Sequence, residues 1–393
     1  MQDKFGRTIE YMRISVTDRC NFRCMYCMPR GMLIPKVPMS EILTYEQILE
    51  VVRAAVSLGI TKFKVTGGEP LVRRDCPSFI GMLKSVPGVS QVTLTTNGLL
   101  LADCLEELTT NGLDAVNISL DTLRPERFER IAGRGATGSA GRRNASYCSA
   151  SGKQNAVSSL NTVLRSIDAA LEAGIPLKIN TVLLRGINDD EWEDIACLAK
   201  DLPIAVRFIE LMPMGGTPVL QGVSGQDILR RICQRYPGVE EDRRRLGNGP
   251  AQYYHIPGWK GDIGFISAVH GRFCGSCNRL RLTARGHLRP CLCYNDEVDL
   301  RDIFRQYPGD GDHILALRQE LLRKKIARAI LDKPEANNFD VDFEAGLSAG
   351  TSSEGKISTG MPGETLSGKA SDIFFRRRAG SSKKRDIMGE IGG

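Results

Sequence analysis

Between residues 62 and 209 this 393-residue chain repeats one arrangement: a short run of alternating apolar and polar residues, then a longer run with apolar residues at helical spacing. Runs at 62–66, 91–95, 115–119, 177–181 and 204–209 predict strands, and runs at 101–110, 124–131, 160–173 and 189–200 predict helices. A further strand is expected at 12–16 and a helix over 44–58, with Thr44 as its N-cap and Gly59 as its stop. Strands and helices that alternate in this way bury their apolar faces by forming a parallel sheet covered by helices. About six such units suit an α/β fold, a partial (β/α)6 TIM-like barrel. In that architecture the loops after the C-terminal ends of the strands carry the chemistry.

The loop after the first strand reads RISVTDRCNFRCMYCMP over 13–29, with Cys20, Cys24 and Cys27 at C-x3-C-x2-C spacing. Iron–sulfur cubanes are usually held by four cysteine thiolates, so three closely spaced ones leave one iron open to another ligand. A zinc loop is the alternative, but structural zinc takes four protein ligands, and no fourth cysteine or histidine lies nearby. The loop after the second strand is Gly67-Gly68-Glu69-Pro70. Glycines without a Cβ allow close backbone approach to a ligand, and Glu69 offers a carboxylate to an ammonium group.

Past Gly249-Pro250-Ala251 the pattern changes to short strands, with a hairpin expected from 253–256 and 263–268. Cys274, Cys277 and Cys291 follow at C-x2-C-x13-C spacing, with Cys293 as a fourth candidate. Paired C-x2-C also marks zinc knuckles, so zinc stays open here. Arg279 and Arg281 alternate on one expected strand and would present both guanidinium groups to the same side, beside the cysteines.

Twelve cysteines and no apolar signal-peptide core point to metal or redox chemistry in a reducing compartment rather than to a disulfide framework. No apolar run approaches the ~20 residues that span a bilayer. A net charge of +7 suits a polyanionic ligand without selecting one. The expected organisation is a barrel over 1–222, interrupted by a low-complexity insertion at 136–158 in which Cys148 is an ordinary thiol. An α+β region with the second cysteine set follows over 223–339, then a disordered Gly/Ser-rich tract over 340–385 and a tail over 386–393. The basic run that ends the tract reads as solvated linker, with nucleic-acid binding or targeting as the alternatives.

The string 13–29, with aromatic Tyr26 before its last cysteine, resembles the radical S-adenosylmethionine (SAM) signature. Over its full length it resembles the GTP 3',8-cyclases, lyases that take the first step of molybdenum cofactor (molybdopterin) biosynthesis. The resemblance covers about residues 1–135 and 159–335 and the final Gly-Gly. It implies two [4Fe-4S] clusters, one on Cys20, Cys24 and Cys27 and one on Cys274, Cys277 and Cys291, with Cys293 a bystander. It implies SAM contacts at Tyr26, Gly68, Glu69, Ser119, Asn180 and Met212. GTP contacts are implied at Arg13, Lys64, Thr95, Lys178, Arg279 and Arg281, and a catalytic role for Arg279, Arg281, Gly392 and Gly393. The implied reaction converts GTP to 3',8-cyclo-7,8-dihydro-GTP through a 5'-deoxyadenosyl radical. An external electron donor and cyclic pyranopterin monophosphate synthase, acting next, would be its partners, without nucleic acid or membrane. The cytoplasm or another reducing compartment such as the mitochondrial matrix would be its place, and a homodimer is left open. Two rival readings remain. Another radical SAM enzyme with an auxiliary cluster, such as a peptide-modifying maturase, would carry more auxiliary cysteines. A non-catalytic iron–sulfur or zinc protein would use the basic tract on nucleic acid.

Overall fold

The computed structural model describes residues 1–28, 37–133, 158–213, 220–244, 247–271 and 273–337. The insertion at 136–158 with Cys148 (Ser158 apart), the tract at 340–385 and the tail with Gly392 and Gly393 lie outside the described residues. The first half runs β1 (Tyr11–Ser15), α1 (Tyr45–Val56), β2 (Lys62–Thr66), α2 (Cys76–Lys84), β3 (Gln91–Thr96), α3 (Leu101–Thr110), β4 (Ala115–Ser119) and α4 (Pro125–Ile131). Then come α5 (Ser159–Glu172), β5 (Leu177–Thr181), α6 (Trp192–Ala196), α7 (Leu198–Asp201), β6 (Ala205–Ile209) and α8 (Gly225–Arg235). The remainder is β7 (Glu240–Asp242), β8 (Gln252–His255), β9 (Asp262–Ile266), β10 (Arg279–Leu282), β11 (His287–Arg289), β12 (Val298–Asp299), α9 (Arg301–Gln306) and α10 (Asp312–Leu331).

The expected strands from 12–16 to 204–209 appear as β1 to β6, all parallel and in sequence order. Their hand-over to helices follows local chemistry. Thr44 caps α1 in a reciprocal capping box with Gln47, and the Ser158 hydroxyl accepts from Asn161 N to start α5. Two features depart from expectation. The helix expected over 189–200 is two short ones, α6 and α7, and α2 was not foreseen. The residue before α2, Asp75, has a left-handed backbone (φ 59°) and makes no side-chain cap, so the usual start signal is missing.

The period-two side-chain alternation divides the barrel strands between two environments. Met12, Ile14, Phe63, Val65, Val92, Leu94, Val116, Ile118, Ile179 and Val206 are 0–1% exposed and join the apolar core under the helices. Their neighbours Arg13, Lys64, Thr95, Asn117, Lys178 and Arg207 point the other way, into a cavity. The interior of this barrel is therefore polar, unlike the apolar filling of a closed TIM barrel.

The expected hairpin forms from β8 and β9, but β9 also pairs in parallel with β6 and so extends the barrel at that edge. At the opposite edge β10 pairs in parallel with β1, with Tyr11 opposite Arg279 and Arg13 opposite Arg281. The C-terminal region thus supplies both flanks of the same sheet. Its last helix, α10, packs on α1 through a buried bidentate pair in which Arg318 Nε and Nη2 donate to Glu50 at 2.9 and 2.7 Å. Removing one partner of such a pair leaves a buried charge and costs about 3–5 kcal/mol. Among the described residues no helix is long and apolar enough to cross a membrane.

Candidate active site

One cavity of about 330 Å³ runs along the polar interior, and both cysteine sets line it. They do so from opposite ends. Cys20, Cys24 and Cys27 follow the C-terminal end of β1, as expected for a barrel loop. Cys274 and Cys277 instead precede the N-terminal end of β10, which runs parallel to β1. The expectation that site residues gather at strand C-terminal ends therefore holds only for the first set. A five-residue strand at about 3.3 Å per residue puts the two sets on the order of 15 Å apart.

At the first end, the cysteine loop folds over itself through Cys27 N and Met28 N, which donate to Cys24 O, and is tied to the end of α4 by Arg23 N to Ala132 O and Met25 N to Ile131 O. Phe22 N donates to Cys20 Sγ at 3.4 Å, the type of contact that cluster sulfurs accept. Burial and nearby Glu69 push the Cys20 thiol up to about 12, and burial followed by Asp121 holds Cys24 well above the usual thiol range. Bare thiolates are disfavoured here, so a cationic metal centre is the compensation this donor set fits.

The Gly-Gly-Glu loop packs closely on the cysteine loop. A Cβ on Gly68 would lie 2.4 Å from Arg19 O, and one on Gly67 2.7 Å from Thr17 O. Gly68 N donates to Thr17 O and Glu69 N to Arg19 O, so the two glycines let this loop lie flush on the cysteine loop. Glu69 is 1% exposed, and its carboxylate already accepts from Leu71 N, Thr96 Oγ1 and Asn97 N. Burial nevertheless pushes it up to about 7. It ties the ends of β2 and β3 together before any ligand is considered. Tyr26 OH donates to Asp121 at 2.7 Å, and Asp121, pushed up to about 6 by burial, also accepts from Val182 N.

The middle of the cavity is cationic. Arg13, Lys64, Lys178, Arg207, Arg279 and Arg281 all face it. Burial, then Arg207, Arg13, Lys178 and Arg279, drives Lys64 well below the usual lysine range; burial and Arg207 bring Lys178 down to about 8. Arg281 is likewise lowered by burial, Arg13 and Arg279. Neighbours partly hold these groups: Asn180 accepts from Arg207 Nη2 at 2.6 Å, and Lys178 reaches the hydroxyl of Tyr253 at 3.4 Å. Arg207 Nε is buried without a hydrogen-bond partner among the described residues. Like charges forced together out of water are stabilised by an anion of several charges placed among them.

The second end differs electrically from the first. Burial would raise Cys277, but Arg279 and Lys333 bring it to about 7; a hydrogen bond from Cys293, with Lys333 and Arg281, brings Cys291 to about 5. Cys293 is pushed up by that same contact and so acts as donor to Cys291. Asn337 N donates to Cys274 Sγ at 3.3 Å. Among the described residues no group of three His, Cys, Asp or Glu side chains is gathered around one metal-ion position.

Residues 14–199 match the model of the radical SAM superfamily, and residues 204–339 match that of Molybdenum Cofactor Synthesis C. A GTP 3',8-cyclase of Desulforamulus reducens is 42% identical over 345 residues, covering 86% of this chain and 96% of its own. The chain belongs to the GTP 3',8-cyclase family. Those of Clostridium perfringens and Petrotoga mobilis are 40% and 41% identical, each over 86% of this chain and 95% of its own. Every described residue that the resemblance to the GTP 3',8-cyclases implied lines the one cavity: the six cysteines, Tyr26, Gly68, Glu69, Ser119, Asn180, Met212, Arg13, Lys64, Thr95, Lys178, Arg279 and Arg281. Cys293 lines it too.

Among the cavity residues that escaped the sequence reading of this cyclase-family chain are Asn97, Asp121, Arg207 and Lys333. The signal for Asp121 and Arg207 was present. Asp121 lies two residues beyond Ser119, and Arg207 alternates with Val206 and Phe208 as Lys64 alternates with Phe63 and Val65. Asn97, just past β3, and Lys333, past α10, carry no local signal.

Proposed function

We propose that this chain is a radical SAM GTP 3',8-cyclase, acting at the first step of molybdenum cofactor biosynthesis. The supporting observation is that two sets of three cysteines face each other along one cavity whose walls between them are cationic. When bound, the first cluster and SAM, given an electron by an external donor, would supply the hydrogen-abstraction chemistry at C3' of the GTP ribose that the closure onto C8 of guanine requires. The residues here do the rest. Cys20, Cys24 and Cys27 would hold the first cluster, and Cys274, Cys277 and Cys291 the second. Tyr26, Gly68, Glu69, Ser119, Asn180 and Met212 would seat SAM beside the first. Arg13, Lys64, Thr95, Lys178, Arg279 and Arg281 would hold the nucleotide between, with Arg207 as an addition. Positioning a radical against one C–H bond and excluding water are the protein's share of such chemistry. An external electron donor and cyclic pyranopterin monophosphate synthase as the next enzyme belong to this reading. Anaerobic reconstitution tests it: about eight irons per chain and SAM cleavage that depends on reductant and GTP are expected. Tight zinc binding without SAM cleavage would overturn it.

Replacing Arg279 or Arg281 by Ala should weaken GTP binding about ten- to a hundredfold, the loss of about 1.5–3 kcal/mol for a charge-assisted contact, while iron content stays at the parent level. Calorimetric titration reads the affinity, and parent-like affinity in both variants would remove these arginines from the nucleotide site.

The same wall makes affinity depend on pH. Lys178, brought down to about 8, is protonated below that value and loses its charge above it. A bound triphosphate raises it again. Binding below pH 8 therefore finds the ammonium ready, whereas binding above must take up a proton, and affinity falls as pH rises, by at most tenfold per unit for one group. Titrations about one unit above that value in two buffers of different ionisation enthalpy should reveal proton uptake; identical heats would exclude it.

A further inference from the structure

Lys333 stands just beyond α10, outside every motif that the sequence singles out, and is only 3% exposed. Its Nζ donates to Arg279 O at 3.0 Å and to Pro290 O at 2.6 Å. Arg279 opens β10 two residues after Cys277, and Pro290 immediately precedes Cys291. One ammonium therefore joins the two chain segments that carry the second cysteine set. It lines the same end of the cavity, and its charge acts on the sulfurs of both Cys277 and Cys291.

The surroundings fix Lys333 in place rather than letting it follow a ligand. The Arg318–Glu50 pair pins α10, from which Lys333 follows. The residues after it are held as well: Arg7, buried against Asp3, donates to Pro334 O, Glu335 O and Cys274 O. A buried ammonium satisfied by two carbonyls is an interaction of fixed geometry, and the apolar stem of lysine adds nothing to it. Groups just outside the ligands orient a metal centre and tune it, and net charge near the sulfurs is one of the determinants of a cluster's potential.

We propose that Lys333 is a positioning residue of the second cysteine set: it holds the Cys277 and Cys291 segments at a fixed separation, and its positive charge favours the more negative, reduced state of the cluster bound there. This rests on reading the second set as an iron–sulfur site. The test uses the full-length chain with Cys20→Ala, Cys24→Ala and Cys27→Ala, so that only the second set binds iron, and compares Lys333→Met with Lys333→Arg. Iron content and an electron paramagnetic resonance redox titration are read in each. At the parent's midpoint Lys333→Met should show a reduced-to-oxidised ratio about tenfold lower, a negative shift of about 59 mV for a one-electron couple, with Lys333→Arg close to the parent. Iron lost from Lys333→Met yet kept by Lys333→Arg would support the same role. An unshifted midpoint in Lys333→Met, or equal iron loss from both variants, overturns the inference. A parent chain without iron at the second set refutes the cluster reading itself, and this inference with it.

Discussion

Cys24→Ser should abolish reductive cleavage of SAM. An alkoxide is a poor iron ligand, and its loss leaves two thiolates where the loop around Cys24 O is wound to present three. The second cysteine set lies at the opposite end of the cavity, so iron should fall from about eight to about four per chain rather than to none. GTP affinity should stay within a few-fold of the parent, because Arg13, Lys64, Lys178 and their neighbours are untouched. The assay is 5'-deoxyadenosine formed under reducing conditions, with iron counted in the same sample. Product at the parent rate would mean that the first set is not where SAM is cleaved.

Gly68→Ala should be nearly as damaging, although it adds one methyl group and removes no ligand. That carbon would lie 2.4 Å from Arg19 O, 2.6 Å from Arg19 C and 2.9 Å from Asp18 O, all backbone atoms with no side-chain rotation to relieve them. Either this loop or the cysteine loop must move, and the bonds from Gly68 N to Thr17 O and from Glu69 N to Arg19 O stretch with it. Overpacking of this kind costs about 1–3 kcal/mol, a loss a chain of this size survives while the geometry of the loop does not. The expected variant is folded, keeps the iron of its second set and loses that of its first. A Gly68→Ala protein with a full iron complement and unchanged SAM binding would show that the close approach has no bearing on the first set.

What could be read beforehand follows the range of the interaction. β2, β4 and β5 appear with the expected bounds because short alternating runs ended by glycine or polar residues are local signals. The cysteine spacings were equally local. The position of the second set was not, since it depends on β10 finding β1 across more than half of the chain, and no window of sequence contains that pairing. Glu69 was read as offering a carboxylate to an ammonium group, and in the structure it also holds Thr96 at the end of the neighbouring strand and Asn97 just past it. Gly67 and Gly68 were read as allowing a close backbone approach to a ligand, and in the structure they also lie against the backbone of Thr17, Asp18 and Arg19. Lys333 went unread because its meaning lies in two carbonyl groups, and carbonyls are the same in every residue.

The pairing of β10 with β1 also bears on how the protein comes into being. β1 is the first strand of the sheet to be made and its outer neighbour β10 follows only after β2 to β9, so through much of synthesis one edge of the growing sheet has open amide and carbonyl groups. Long-range pairings form late because the intervening chain must first be brought round. Edges of this kind invite strands from other molecules, and an inward-pointing charge is one of the ways natural sheets discourage them. Arg13 is such a charge, at the centre of β1, with Lys64 next to it in register on β2. The cations that suit a polyanion in the finished molecule are thus also charges of the kind that make an open sheet edge a poor template for another strand.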